Sequence, residues 1–172
     1  MSKKERIMVF IDHNNIFHEY YKIKFQFSWA KLKSLVSEKR NLIKITSYIG
    51  VDPLLDPIEI MKREKFYYFL KKQGFTVVKI PLKIHRDGTR EEKEIDTSIA
   101  VDMIANAYEN NFDTAVLVGG DRDYRPVIKR LLFLNKNVEI WSYRKALSPI
   151  LRDAIAPKYV YYIDNYLNKL KR

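Results

Sequence analysis

Apolar residues fall along the chain in two rhythms. Ile7 to Ile11 and Thr114 to Val118 are near-continuous apolar runs, the mark of strands buried on both faces, as in a parallel sheet. Leu42 to Val51, Phe75 to Ile80 and Val138 to Trp141 supply further strands, and Tyr159 to Ile163 an edge strand. Helical spacing alternates with them. Ile16, Phe17 and Tyr20 share one side of a helix that starts near Asp12. Ser28 caps a second helix to about Lys39, carrying Trp29, Leu32, Leu35 and Val36. Asp56-Pro57 opens a third, with Phe66, Phe69 and Leu70 on one side and Gly74 as its stop. Glu94 to Asn110, Tyr124 to Leu134 and Pro149 to Ala154 complete the set, and Asp87-Gly88 marks a hairpin turn in a basic flap from Lys83 to Glu92. Strands alternating with helices predict an α/β sandwich, a mostly parallel central sheet flanked by helices, in a single domain over residues 1–172.

Composition narrows the chemistry. There is no cysteine among 172 residues, which removes disulfides and thiolate zinc sites, and 3 scattered histidines do not make a histidine-rich metal site. Any bound metal must take oxygen ligands, which suits Mg²⁺ or Mn²⁺. With 32 basic against 21 acidic residues the net charge is +11, favouring a polyanionic partner, nucleic acid or an anionic membrane surface, over a surface basic for solubility alone. No apolar run is long enough for a signal peptide or a membrane span, so the expectation is a cytoplasmic protein.

The acidic residues stand where a site would be. Asp12 ends one buried strand and Asp121 follows another. In open α/β sheets the carboxyl ends of the strands flank the ligand crevice where strand order reverses. Asp at a strand end also caps helices, so each residue has a structural reading as well. Asp96 interrupts the apolar stripe of Ile95, Ile99, Ala100, Met103 and Ala107, and an unpaired carboxylate there needs a cation, a partner or a wet crevice. Asp123 completes an Asp-x-Asp pair with Asp121. Asp102, about 120° around the helix from Asp96, is a secondary candidate. Asn15 either orients a water or caps its helix, and His13 is read as a rim residue. Carboxylates that hold divalent ions with open coordination positions suit phosphodiester hydrolysis.

These segments resemble a known family. Phe10-Ile11-Asp12-His13-Asn14-Asn15 resembles the opening "F-I-D-x-x-N" of NYN domains, the LabA-like branch of the PIN-like nucleases. Lys93-Glu94-Ile95-Asp96, with Asp102 beyond, is similar to the "K-x-x-D…D" helix. Leu117 to Tyr124 resembles the "S-G-D-x-D-F" motif, and Leu147 to Ile163 the closing helix and strand. The motifs keep family order over nearly the whole chain. The resemblance implies a three-layer PIN-like sandwich, ribonuclease activity and a divalent metal. It implies Asp12, Asp96 and Asp121 as core ligands, Asp123 and Asn15 as supporting residues, and Lys93 as a substrate or outer contact. Gly119 stands for a serine, Arg122 for a small residue and Tyr124 for phenylalanine. Of these, Arg122 matters most, because it either quenches Asp123 or grips RNA.

Arg86, Arg90, Lys93, Arg122, Arg125, Arg144 and Lys145 lie around the expected crevice, where phosphate contacts would give salt-sensitive binding of single-stranded or structured RNA. Tyr124, Tyr143 and Trp141 are candidates to stack bases, with ordinary packing as the competing role. The tyrosines 159, 161, 162 and 166 are read as an edge strand or a homodimer contact. The leading expectation is a metal-dependent endoribonuclease; the alternative is a non-catalytic RNA-binding or regulatory module on the same fold. A Toprim-type centre lacks a convincing glutamate, a haloacid-dehalogenase-like one would need Asp rather than Asn14, and a dinucleotide fold would need a glycine-rich first turn.

Overall fold

The computed structural model describes residues 4–92 and 94–172. Six strands pair in parallel in the order β3-β2-β1-β6-β7-β8. They are β1 (Arg6–Asp12), β2 (Asn41–Val51), β3 (Thr76–Pro81), β6 (Thr114–Val118), β7 (Asn137–Ser142) and β8 (Val160–Tyr162). The flap is a separate antiparallel pair, β4 (Lys83–Ile84) and β5 (Arg90–Glu91). The helices are α1 (His13–Lys22), α2 (Trp29–Val36), α3 (Pro57–Lys72), α4 (Ile95–Tyr108), α5 (Arg125–Phe133), α6 (Pro149–Arg152) and α7 (Leu167–Leu170). The main sheet is wholly parallel, where the sequence predicted a mostly parallel one.

Side chains alternate across a strand, and β1 divides them between two cores. Ile7, Val9 and Ile11 pack with α1, α2, α3 and α7. Met8 and Phe10 pack with α4, α5 and α6. Asp12 continues the second parity and so belongs to the α4 side. The strand order runs outward from β1 through β2 to β3 and from β6 through β7 to β8. The reversal therefore falls between β1 and β6, which pair from Ile7↔Thr114 to Ile11↔Val118.

Local chemistry sets the helix ends. The Ser28 hydroxyl accepts from the Lys31 amide at 3.3 Å, and Asp56 accepts from the amides of Ile58 and Glu59 with Pro57 in the first turn. Gly74 leaves α3 with φ +80°, a conformation that suits glycine. α2 stops at Val36, short of the expected Lys39. Arg40 folds back to donate to the Val36 carbonyl and pairs with buried Glu139 at 2.6 Å. α3 buries Tyr67 and Leu70, while Phe66 and Phe69 are only half-buried.

Candidate functional site

The reversal in strand order brings the carboxyl ends of β1 and β6 side by side, and their acidic residues follow. Asp12 is buried, 6% exposed. One carboxylate oxygen accepts from the Asn15 amide at 3.1 Å, capping α1. The other accepts from the Tyr124 hydroxyl at 3.0 Å. Asp121 caps the short 3-10 helix Arg122–Tyr124 by accepting from the Asp123 amide at 2.9 Å. Asp96 stands half-buried in the first turn of α4, with no side-chain cap ahead of it. Asp12 and Asp121 are thus both helix caps, standing at the carboxyl ends of two neighbouring strands.

The electrostatics tie the set together. Burial pushes the Asp12 carboxyl up to about 6, reinforced by Asp96 and Glu92 and opposed by the Asn15 amide and Tyr124 hydroxyl. Burial also raises Asp96, with repulsion from Asp121, Asp123 and Glu92 adding to it. The Tyr124 hydroxyl, whose hydrogen bond goes to Asp12, also lies near enough to Asp96 to favour its charged form. Burial and these two anions hold that phenol far above its usual range. Asp123 is open to solvent and only 3.7 Å from the Arg122 guanidinium, with both side chains about 70% exposed. An ion pair so exposed is weak, so Arg122 does little to neutralise Asp123.

Other candidate residues have different surroundings. Asp102 accepts a hydrogen bond from Tyr48 on another side of α4 and does not join the aspartates. Arg90 is bound to Asp52 and to the Gly88 carbonyl, tying the flap to the segment after β2 rather than facing solvent free. Arg86 and Arg125 are exposed. Tyr124 has a fully buried ring, so it offers no face to a base; it packs in the core lined by α4, α5 and α6, and its hydroxyl is its polar contribution. Asn15 contributes its backbone amide, while its side-chain oxygen is buried with no partner among the described residues. Trp141 and Tyr143 are buried too. Arg144 is held by Asp164 and Asn165 and lies over Tyr162. Lys93 lies outside the described residues.

Two residues escaped the sequence reading. Glu92 faces Asp12 and Asp96 electrostatically, and Asn14 donates to it at 2.7 Å. A glutamate within Glu91-Glu92-Lys93-Glu94 is one of several equivalent charges until the flap places it. Its position four residues before Asp96 was the one available signal.

No set of three or more of the described histidine, aspartate and glutamate side chains forms a ready cation cage. The donors nevertheless fit a hard divalent cation. They are oxygens only, they raise one another's proton affinity, and the largest influences on Asp12 and Asp96 are burial, hydrogen bonds and other carboxylates. Glycine permits the close approach of a loop here. A Cβ on Gly120 would stand 2.3 Å from the Ala146 carbonyl oxygen, so the turn that presents Asp121 has no room for one.

Comparison with known proteins agrees with this architecture. The family model described as NYN domain matches residues 6–164. A crystal structure of a protein of unknown function from Vibrio parahaemolyticus RIMD 2210633 superposes with a TM-score of 0.81 at 23% identity, over 100% of both chains. No curated protein matches. Among the described residues, no helix is long and apolar enough to cross a membrane.

Proposed function

Since the chain belongs to the NYN domain family, which carries a PIN-like nuclease fold, we propose that its aspartate crevice is the centre of a divalent-metal-dependent endoribonuclease acting on RNA phosphodiester bonds. One observation carries the reading: Asp12 and Asp96 are drawn out of water beside Asp121, Asp123 and Glu92. Anions gathered in this way are costly unless a cation joins them. Asp12, Asp96 and Asp121 would hold Mg²⁺ or Mn²⁺, with Asp123 and Glu92 at the open side. The ion supplies the Lewis acidity that phosphodiester hydrolysis needs.

The chain's own residues do the rest. The Asn15 amide fixes the rotamer of Asp12, and the Asp123 amide does the same for Asp121. Tyr124 holds Asp12 in place through its second oxygen. Arg86, Arg122 and Arg125 contribute positive charge for the RNA backbone.

The test is cleavage of a labelled single-stranded RNA with Mn²⁺ or Mg²⁺, compared with EDTA and with Asp121→Asn. Metal-dependent cutting that the substitution abolishes, with RNA binding retained, supports the assignment. Equal cutting by Asp121→Asn overturns the site. Salt-sensitive binding without any cleavage transfers the reading to a non-catalytic RNA-binding module.

A further inference from the structure

Beside the crevice, at the end of β2, a cavity of about 320 Å³ opens between α1 and α3. Its walls include His13, Asn14, Phe17 and Phe66, with Lys62 and Arg63 among the residues around it. Aromatic rings line it. His13 and Phe17 stack on each other, 18° from parallel at 6.1 Å, and Phe66 meets His13 at 5.3 Å, tilted by 55°. Phe17 keeps 37% of its surface exposed, among the rings of His13, Tyr20 and Tyr21. The two cations differ. Lys62 pairs with Glu59 at 2.6 Å, whereas Arg63 is exposed and makes no hydrogen bond or close ion pair among the described residues, its charge being felt by Asp52 and His13.

The cavity is coupled to the crevice by sequence and by contact. His13 follows Asp12 directly. Asn14, which lines the cavity, donates to Glu92, and Glu92 acts on both Asp12 and Asp96. The opening is thus one residue along the chain from Asp12 and one hydrogen bond from Glu92.

We propose that the cavity is a nucleobase subsite, receiving one unpaired base of the RNA against Phe17 and Phe66 while Arg63 holds the adjoining phosphate. The assignment rests on the ribonuclease reading of the crevice. Charge and shape favour this occupant: aromatic faces accept any base by stacking, an unpaired guanidinium matches a phosphodiester, and the net charge of +11 matches a polyanion.

The experiment is binding of a fluorescent single-stranded RNA in EDTA, followed by anisotropy, with wild type, Phe17→Ala and Arg63→Ala. Both altered side chains are exposed, and circular dichroism checks that each variant folds. Phe66→Leu, which keeps an apolar wall but removes the ring, is the second probe of stacking. The oligonucleotide is also scanned with single abasic positions. Phe17→Ala is expected to weaken binding about five- to a hundredfold. An abasic position should cost wild type a similar factor and cost Phe17→Ala nothing further. Arg63→Ala should weaken binding and flatten its salt dependence. If wild type binds with salt-sensitive affinity while Phe17→Ala and Phe66→Leu match it and no abasic position matters, the subsite is overturned and the nuclease reading stands. If wild type neither binds nor cuts RNA with Mn²⁺ present, both fall together.

Discussion

Asp12 performs two tasks whose energetic demands differ. As the cap of α1 it needs only an acceptor oxygen, which asparagine also provides. As a buried acid raised from 3.8 to about 6, it makes the fold more costly once ionised. The native state binds its proton more tightly than the unfolded chain. This residue's contribution to stability is therefore full below about pH 4, falls as pH rises toward 6, and is gone above that. The cost of ionisation is about 3 kcal/mol. In EDTA, Asp12→Asn is expected to be at least as stable as wild type at about pH 7.5 and to lose that advantage toward pH 4. Mn²⁺ should then stabilise wild type but not the variant. Thermal melts with and without Mn²⁺ measure this. A variant less stable at neutral pH and still stabilised by the ion would remove Asp12 from the site.

Tyr124, where the family motif has phenylalanine, adds a single hydroxyl to the site. It donates to the oxygen of Asp12 that α1 leaves free, and so competes with any cation for that oxygen. Tyr124→Phe is expected to lower metal-free stability by about 1–3 kcal/mol and to tighten divalent binding. Calorimetric titration with Mn²⁺, alongside urea denaturation, separates the two effects. Weaker Mn²⁺ binding in the variant would make Tyr124 a support of the metal site instead of a competitor.

At the scale of elements, the turn from β6 into the short 3-10 helix sets where Asp121 points. The Gly120 carbonyl accepts from the Ser148 amide at 2.9 Å, locking the turn to the loop before α6. Gly120→Ala would push a methyl into backbone atoms of that loop, so about 1–3 kcal/mol of stability should be lost, and cleavage should fall with it as Asp121 moves. Urea denaturation checks the first expectation; a variant as stable as wild type would mean that the loop yields freely. The strands were legible in the sequence because burial on both faces leaves little but apolar residues in β1 and β6. Their neighbouring placement was legible only as a conditional, since nothing local says that β1 pairs with β6. Side-chain partners were less legible still. Asp102 and Asp96 share a helix and a charge, yet Tyr48, distant in sequence, engages the first. Arg90 looked like a phosphate contact until Asp52 claimed it, and Glu92 could not be told from its neighbours before the flap folded.

Over the whole molecule, the arrangement sets acidic residues within an excess of positive charge. On the proposed function, the net +11 would attract RNA from a distance, while the carboxylates would repel phosphate locally until a cation joined them. Affinity should therefore depend steeply on salt, and the slope counts contacts: log K falls by about 0.7 per neutralised phosphate for a single strand, per tenfold salt. Arg86 and Arg125 are exposed, and neither side chain makes an ion pair or hydrogen bond among the described residues. Arg90 is already occupied by Asp52. Arg86→Ala and Arg125→Ala should each flatten the slope by about 0.7, whereas Arg90→Ala should leave it nearly unchanged. Anisotropy titrations over a range of KCl concentrations decide the matter. Were Arg90→Ala to flatten the slope as much as Arg125→Ala, the Asp52 tie would have to open when RNA binds, and the flap would be a moving part of the binding surface.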